Sequence, residues 1–185
     1  MGVLEIIAAL LGVINVLLVV RRSTWNYPFG IAMVALYFFV FAHAKLYSDA
    51  LLQIFFFVIQ IYGWWAWYHA AHVDDGVAVR WMSWRERFPW LAATLVAVLL
   101  WGTGMARLTD AAAPYIDATA AGLSVAAQIL QSLRRVESWA LWICVDVIEV
   151  GLLSWRSLFV STALYGLFLI LSVIGLIEWR RRASA

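Results

Sequence analysis

Two carboxylates stand in the middle of an apolar run flanked by tryptophan. The run is "SWALWICVDVIEVGLL", residues 138–153, and the acids are Asp146 and Glu149. At 100° per residue, Trp139, Trp142, Asp146 and Glu149 share one helix face about 80° wide. Carboxylates beside tryptophan faces suit an organic cation: the acid offsets its charge, and the indole offers cation–π or stacking contact to a flat ring. The alternative is structural, a buried pairing of the acids with arginine or with a neighbouring hydroxyl.

Other polar groups recur at helical spacing. Gln53, Phe56, Gln60, Trp64 and Trp67 fall within about 80° of one another, as do Asp117, Ser124, Gln128, Gln131 and Arg135. Tyr165, Ser172 and Trp179 form a similar stripe, and Asn15 stands alone in the first apolar run. The glutamines and Asn15 serve either as inter-helix hydrogen bonds, each contributing about 1 kcal/mol, or as contacts to a ligand's amide and hydroxyls. The candidate site is therefore Trp139, Trp142, Asp146 and Glu149, with Asn15, Gln53, Phe56, Gln60, Trp64, Gln128 and Tyr165. Tryptophans near helix ends suit the interfacial belt, which covers Trp25, Trp67, Trp81, Trp84, Trp90 and Trp179. Asp117 and Glu5 suit helix N-termini, where the dipole favours an acid. Cys144, the single cysteine, excludes an internal disulfide and a multi-cysteine metal site, and its apolar surroundings make it a small core residue.

The elements that must hold these residues are set by composition. Hydrophobic residues make up 65% of the 185 and charged residues 13%, against about 25% charged in a soluble domain; mean hydropathy is +0.88. Such a chain cannot cover its surface against water, so the bilayer is its solvent. Seven runs approach the roughly 20 residues a bilayer requires: about 3–20, 28–44, 48–68, 89–107, 116–133, 138–155 and 157–179. Helix is the expected form, because the backbone must satisfy itself in lipid. Pro28 and Pro89 suit helix starts, where a missing N–H is harmless. No separate soluble domain fits between the runs.

Arg21, Arg22, Arg80, Arg85, Arg87, Arg134, Arg135, Arg180, Arg181 and Arg182 fall on one side of the expected membrane, and Lys45, Arg107 and Arg156 on the other. That bias puts the first side in the cytoplasm, so the N-terminus lies outside and the C-terminus inside. The first run carries its arginines after its apolar stretch, the reverse of a signal peptide, and reads as a retained helix. The net charge of +2 is confined to short loops and points to no nucleic acid.

"LLQIFFFVIQIYGWWAW" (51–67) aligns with "ALYGLFLILSVIGLIEW" (163–179), bringing Leu52 onto Leu164, Phe56 onto Phe168, Gly63 onto Gly175 and Trp67 onto Trp179. A slightly longer shift, of 113–114, brings Trp25 onto Trp139 and pairs Trp142, Asp146 and Glu149 with Pro28, Ala32 and Ala35. The chain reads as one transmembrane domain over 1–185, with a first repeat at about 1–70, a linker helix at about 86–108 and a second repeat at about 114–182. An odd triplet ends on the opposite face from its start and the single linker returns the chain, so the two triplets run parallel. Parallel repeats occur in transporters, with the substrate between them near the midplane. Acid and aromatic together occur only in the second triplet, which a purely structural requirement would not produce.

No G-x-x-x-x-G-K-[ST] loop is present, and no Ser-His-Asp or Cys-His set shares a depth, so neither ATP hydrolysis nor an intramembrane enzyme is expected. His69 and His72 lack a third metal ligand beside "VDDG", and no metal or cofactor is implied.

"AKLYSDALLQIFFFVIQIYGWWAW" and "VESWALWICVDVIEVGLLSWRSLFVSTALYGLFLILSVIGLIEW" resemble the PnuC family of bacterial vitamin transporters. The family carries a similar L-Y-x-[SA]-x-x-L-Q-x-F-F-F…Y-G-W-x-x-W block in its third core helix and an E-x-W-x-x-W block followed by Asp or Asn in its sixth. The resemblance spans nearly the whole chain. It implies an all-α membrane fold in a 3+1+3, SWEET-like plan, assembled as a homotrimer in the inner membrane. It implies facilitated diffusion of an unphosphorylated vitamin, nicotinamide riboside being the namesake, trapped by a cytoplasmic kinase. Gln53, Trp139, Trp142 and Asp146 match positions that line or gate the family's site. Members carrying nicotinamide riboside have Asn where this chain has Asp146; Asp is commoner in relatives whose substrate is assigned to thiamine or left open, and Glu149 fits neither pattern. Both vitamins are cationic aromatic rings, with nicotinamide riboside slightly ahead. The expected mechanism is uniport by alternating access, with Trp142 stacking on the ring. Proton-coupled transport, with Asp146 or Glu149 as relay, is the rival, and a channel or structural membrane protein a further one.

Overall fold

In lipid, each segment must close its own backbone hydrogen bonds, and the long apolar runs do so as helices. The computed structural model describes residues 3–43, 47–70, 72–73, 76–108, 113–155 and 157–183. Its helices are α1 (Val3–Val20), α2 (Asn26–His43), α3 (Tyr47–Tyr68), α4 (Trp84–Leu108), α5 (Pro114–Ser132), α6 (Glu137–Trp155) and α7 (Phe159–Arg182). A two-residue hairpin, β1 (His72–Val73) with β2 (Gly76–Val77), follows α3. Lys45 and Arg156 from the charge count, Asp74 and Asp75 beside the histidine pair, and the His72 side chain lie outside the described residues.

Among the described residues six helices, all but α5, are long and apolar enough to cross a membrane, where the sequence suggested seven. At 19 residues α5 is long enough, and it falls short in apolar content. α5 sits against α3, α4 and α6 and buries Gln128, Gln131 and Ser132 with a run of alanines, so its polar face meets protein.

The helices pack in the order α1, α2, α3, α5, α6, α7 and back to α1, a closed ring. α4 packs on α5, where Gly102 and Gly122 leave room for Tyr115 and Val98; a Cβ at these glycines would meet those side chains at 2.6 and 2.5 Å. Pro89 is not at the start of α4 but inside it. The helix begins earlier because Ser83 and Glu86 form a capping box: Ser83 N donates to Glu86 Oε2 at 2.8 Å and Glu86 N to Ser83 Oγ at 3.3 Å, satisfying two orphan donors reciprocally.

Local geometry recurs between the first and last thirds of the chain. Arg22 and Arg134 both take the left-handed conformation, with φ 55° and 60°. Arg22 N donates to Val19 O at 2.8 Å and Arg134 N to Gln131 O at 2.9 Å. Tyr27 meets Trp67 edge-on at 5.4 Å, and Trp139 meets Trp179 edge-on at 5.5 Å. Gly63 makes space for the Tyr27 hydroxyl and Gly175 for the Trp139 ring. The register that pairs Arg22 with Arg134 and Trp67 with Trp179 thus holds for α2 and α6 as well, in place of the shift of 113–114. It sets Gly30, Val34 and Tyr37 opposite Trp142, Asp146 and Glu149.

Residues 76–87 cross one end of the ring and bond to both recurring turns. Val77 N donates to Arg22 O at 3.1 Å, Arg80 N to Arg134 O at 3.1 Å, and Val136 N to Arg80 O at 3.1 Å. Met82 N donates to Glu137 at 3.0 Å, which also pairs with Arg87 at 2.8 Å. Val77, Val79 and Met82 of this crossing are buried. Gly76 has φ 122°, and a Cβ there would fall 2.9 Å from Arg22 O, so only glycine fits. Burial, reinforced by the charge of Arg80, lowers the Arg135 pKa; Glu86 at 3.0 Å opposes that shift. Arg22, Arg80, Arg87, Arg134 and Arg135 therefore gather at one end of the molecule.

Candidate functional site

The site is built on a layer of aromatic rings at the arginine-rich end. Tyr27, Trp67, Trp139 and Trp179 are all essentially fully buried. Trp67 and Trp179 meet at the middle of the layer, centroids 5.9 Å apart. Trp67 Nε1 donates to Gln131 O at 3.3 Å, and Trp179 Nε1 to Val19 O at 3.1 Å. Buried indole N–H groups usually find an acceptor; for Trp67 and Trp179 the acceptors are carbonyls in the last turns of α5 and α1, while Trp139 Nε1 has none among the described residues. Trp67 and Trp179 are thus core residues, not members of the interfacial belt expected for them. Trp25 and Trp84 are exposed, at 68% and 80%.

Gln60 lies seven residues before Trp67, and Ser172 seven before Trp179, about 10 Å along each helix. Polar groups cluster at this depth. On the α5–α7 side, Asp146 is 4% exposed, and its Oδ2 accepts the Ser172 hydroxyl at 2.8 Å. The carboxylate thus has a hydroxyl partner, while no arginine or lysine pairs with it among the described residues. Trp142 Nε1 donates to Gln131 Oε1 at 2.8 Å. Glu149 lies one turn beyond Asp146 on α6 and Tyr165 lies on α7, both half-buried. Tyr165 also meets Phe168 edge-on at 5.9 Å.

On the α1–α3 side the same depth holds amides. Gln60 is 4% exposed and occupies the space over Gly30; a Cβ there would collide with its amide and stand 2.7 Å from Asn15 Nδ2. Asn15 Nδ2 donates to Asn26 O at 2.7 Å, which fixes its orientation. Gln128 on α5 is buried, and its Nε2 has no partner among the described residues. A buried donor left unpaired costs about 1–3 kcal/mol, so this atom is a candidate for a ligand oxygen or an ordered water.

The structure brings Asp146 and Trp142 together with Ser172 and Gln131, and Gln60 with Asn15. Gln53 and Phe56 lie one to two turns further along α3 and are half-buried. Trp64 is 41% exposed and off the buried face carrying Gln60, Gly63 and Trp67. Trp139 packs on Gly175 and Trp179 in the aromatic layer. Cys144, expected in the core, is exposed, because it follows Ala140 on the outward face of α6. Gln131, Ser172 and Gly30 were not among the sequence candidates. Gln131 and Ser172 were visible as members of polar stripes, but Gly30 became legible only once α2 and α6 stood in register. Two open crevices of about 420 and 430 Å³ flank the arginine-rich end, one between Arg21 and Glu178 and the other between Trp81 and Arg180; neither is lined by Asp146 or Trp142.

The sequence profile described as nicotinamide mononucleotide transporter matches residues 2–181. The nicotinamide riboside transporter PnuC of Escherichia coli K12 is 26% identical over 201 residues, covering 95% of this chain and 84% of its own. The riboflavin/roseoflavin transporter RibM of Streptomyces davaonensis is 27% identical, covering 97% of this chain and 85% of its own. A crystal structure of the vitamin B3 transporter PnuC superposes with a TM-score of 0.81 at 27% identity, over 96% of this chain and 80% of that one.

Proposed function

The chain belongs to the nicotinamide mononucleotide transporter family, the PnuC family of multi-pass membrane transporters, and we propose that its substrate is a cationic aromatic vitamin, nicotinamide riboside first. The observation that carries this reading is Asp146, a buried acid beside Trp142 whose described partner is a hydroxyl rather than a cation. An uncompensated carboxylate in a low-dielectric interior is costly, and a cationic ring stacked on Trp142 relieves that cost. Gln60, Asn15 and Gln128 then take the carboxamide and ribose hydroxyls.

In this reading α1–α3 and α5–α7 are two parallel triplets, α4 is the linker and α5 is a seventh span. The ring order of the helices and the matching turns at Arg22 and Arg134 support that plan. The arginine-rich end faces the cytoplasm, the N-terminus lies outside, and the bacterial inner membrane holds the protein as a homotrimer. Substrate passes by alternating access of the triplets, without a coupled ion, and is retained inside by phosphorylation. Uptake into vesicles lacking any ion gradient tests this point. Equilibration is expected; none without a proton gradient would replace uniport with proton coupling.

The substrate is tested by binding of nicotinamide riboside, thiamine and riboflavin to the purified protein, repeated on Asp146→Asn and Glu149→Gln. The expected result is tight binding of nicotinamide riboside, weakened by Asp146→Asn. Tighter binding of thiamine moves the assignment to that vitamin, and affinity unchanged in both variants removes the charge argument.

A further inference from the structure

Trp142 is held by a helix other than its own. Its indole Nε1 donates to the side-chain oxygen of Gln131 on α5 at 2.8 Å. Gln131 is buried, and its backbone carbonyl accepts the indole N–H of Trp67 on α3 at 3.3 Å. One residue thus links the ring proposed to meet substrate with the aromatic layer at the α3–α5 seam.

The matching positions of α1 and α2 show that the fold itself does not require this arrangement. Gly30 stands opposite Trp142, and Val19 opposite Gln131. Val19 offers the same backbone carbonyl, to Trp179, but has no side-chain acceptor. The backbone bond is therefore common to both places, while the amide and the ring it holds occur in one. Without its acceptor, the Trp142 N–H would be left to find another partner or to rotate.

We propose that Gln131 is a positioning residue: its amide oxygen fixes the plane of Trp142 for stacking, and its backbone bond to Trp67 ties that plane to the seam between the two helix groups. Gln131 acts through Trp142 and does not itself touch the substrate. The proposal rests on the substrate reading above, so its test has one arm that needs no ligand.

Binding of nicotinamide riboside is measured for the unmodified protein, Gln131→Met, Trp142→Phe and the double variant. Methionine keeps the length and packing of glutamine and lacks the amide oxygen. Gln131→Met is expected to weaken binding roughly tenfold and to have no further effect once Trp142→Phe has removed the indole N–H. An equal loss in both backgrounds overturns the proposal, since Gln131 would then act on something other than the indole. In the second arm the protein carries ¹⁵N-labelled indoles, and the Trp142 signal is assigned by its loss in Trp142→Phe. Gln131→Met is expected to shift that signal and speed its hydrogen exchange; an unmoved signal also overturns the proposal. If nicotinamide riboside, thiamine and riboflavin all fail to bind the unmodified protein, the substrate reading fails, and the indole signal alone decides the role of Gln131.

Discussion

Trp67 and Trp179 meet ring to ring at 5.9 Å, and each gives its indole N–H to a carbonyl of the opposite helix group, Gln131 for Trp67 and Val19 for Trp179. These crossed bonds tie α3 to α5 and α7 to α1, the two seams that close the ring of helices. Trp67→Phe and Trp179→Phe each remove one N–H and shrink a fully buried ring system, so each is expected to lower stability by about 2–3 kcal/mol, from the lost hydrogen bond and the small cavity together. Trp179→Ala, which also empties the space, is expected to lower it by about 3–5 kcal/mol. Unfolding in detergent followed by heat or denaturant measures both. Markedly unequal losses for the two phenylalanine variants would contradict the equivalence of the seams.

Asp146→Asn keeps an oxygen able to accept the Ser172 hydroxyl and removes only the charge. It is therefore expected to leave the fold intact and to weaken a cationic ligand about tenfold or more. A neutral analogue of the same ring should lose far less. Titration calorimetry with the two ligands separates the cases; equal losses for both would mean that Asp146 acts by shape.

Gly30→Ala puts a methyl group where the Gln60 amide lies. The amide is the far end of a flexible side chain, so the fold should survive, with a loss of about 1–3 kcal/mol from overpacking and reduced uptake. Gln60→Ala should relieve the crowding, so that the double variant unfolds later than Gly30→Ala alone. A double variant no more stable than Gly30→Ala would show that the crowding lies elsewhere.

Glu137 holds both Met82 N and Arg87 at the crossing of residues 76–87. Glu137→Ala leaves those groups without their carboxylate, and loosening is expected there before global unfolding. Amide hydrogen exchange of residues 76–83 should accelerate roughly tenfold, with α6 little changed beyond its first turn. Gly76→Val should loosen the same segment, because its φ of 122° disfavours any side chain.

The sequence alone determined the solvent, the helices and the family, because a charge-poor composition and long apolar runs state their meaning locally. It also put Trp142, Asp146 and Glu149 on one face, since helical periodicity is carried by spacing alone. The partners required tertiary structure. Ser172 lies 26 residues from Asp146 and Gln131 lies 64 from Trp67, and no local pattern tells which stripe faces which. Trp67 and Trp179 looked like belt residues because their position along a helix says nothing of rotation about its axis. α5 looked like one span among equals; packing made it the helix whose polar face could be buried in protein. The register of α2 on α6 likewise followed from turns and ring contacts, because apolar helices align almost as well one or two positions out of step. A helix's period fixes which residues travel together, and only the neighbour it packs against decides what they meet.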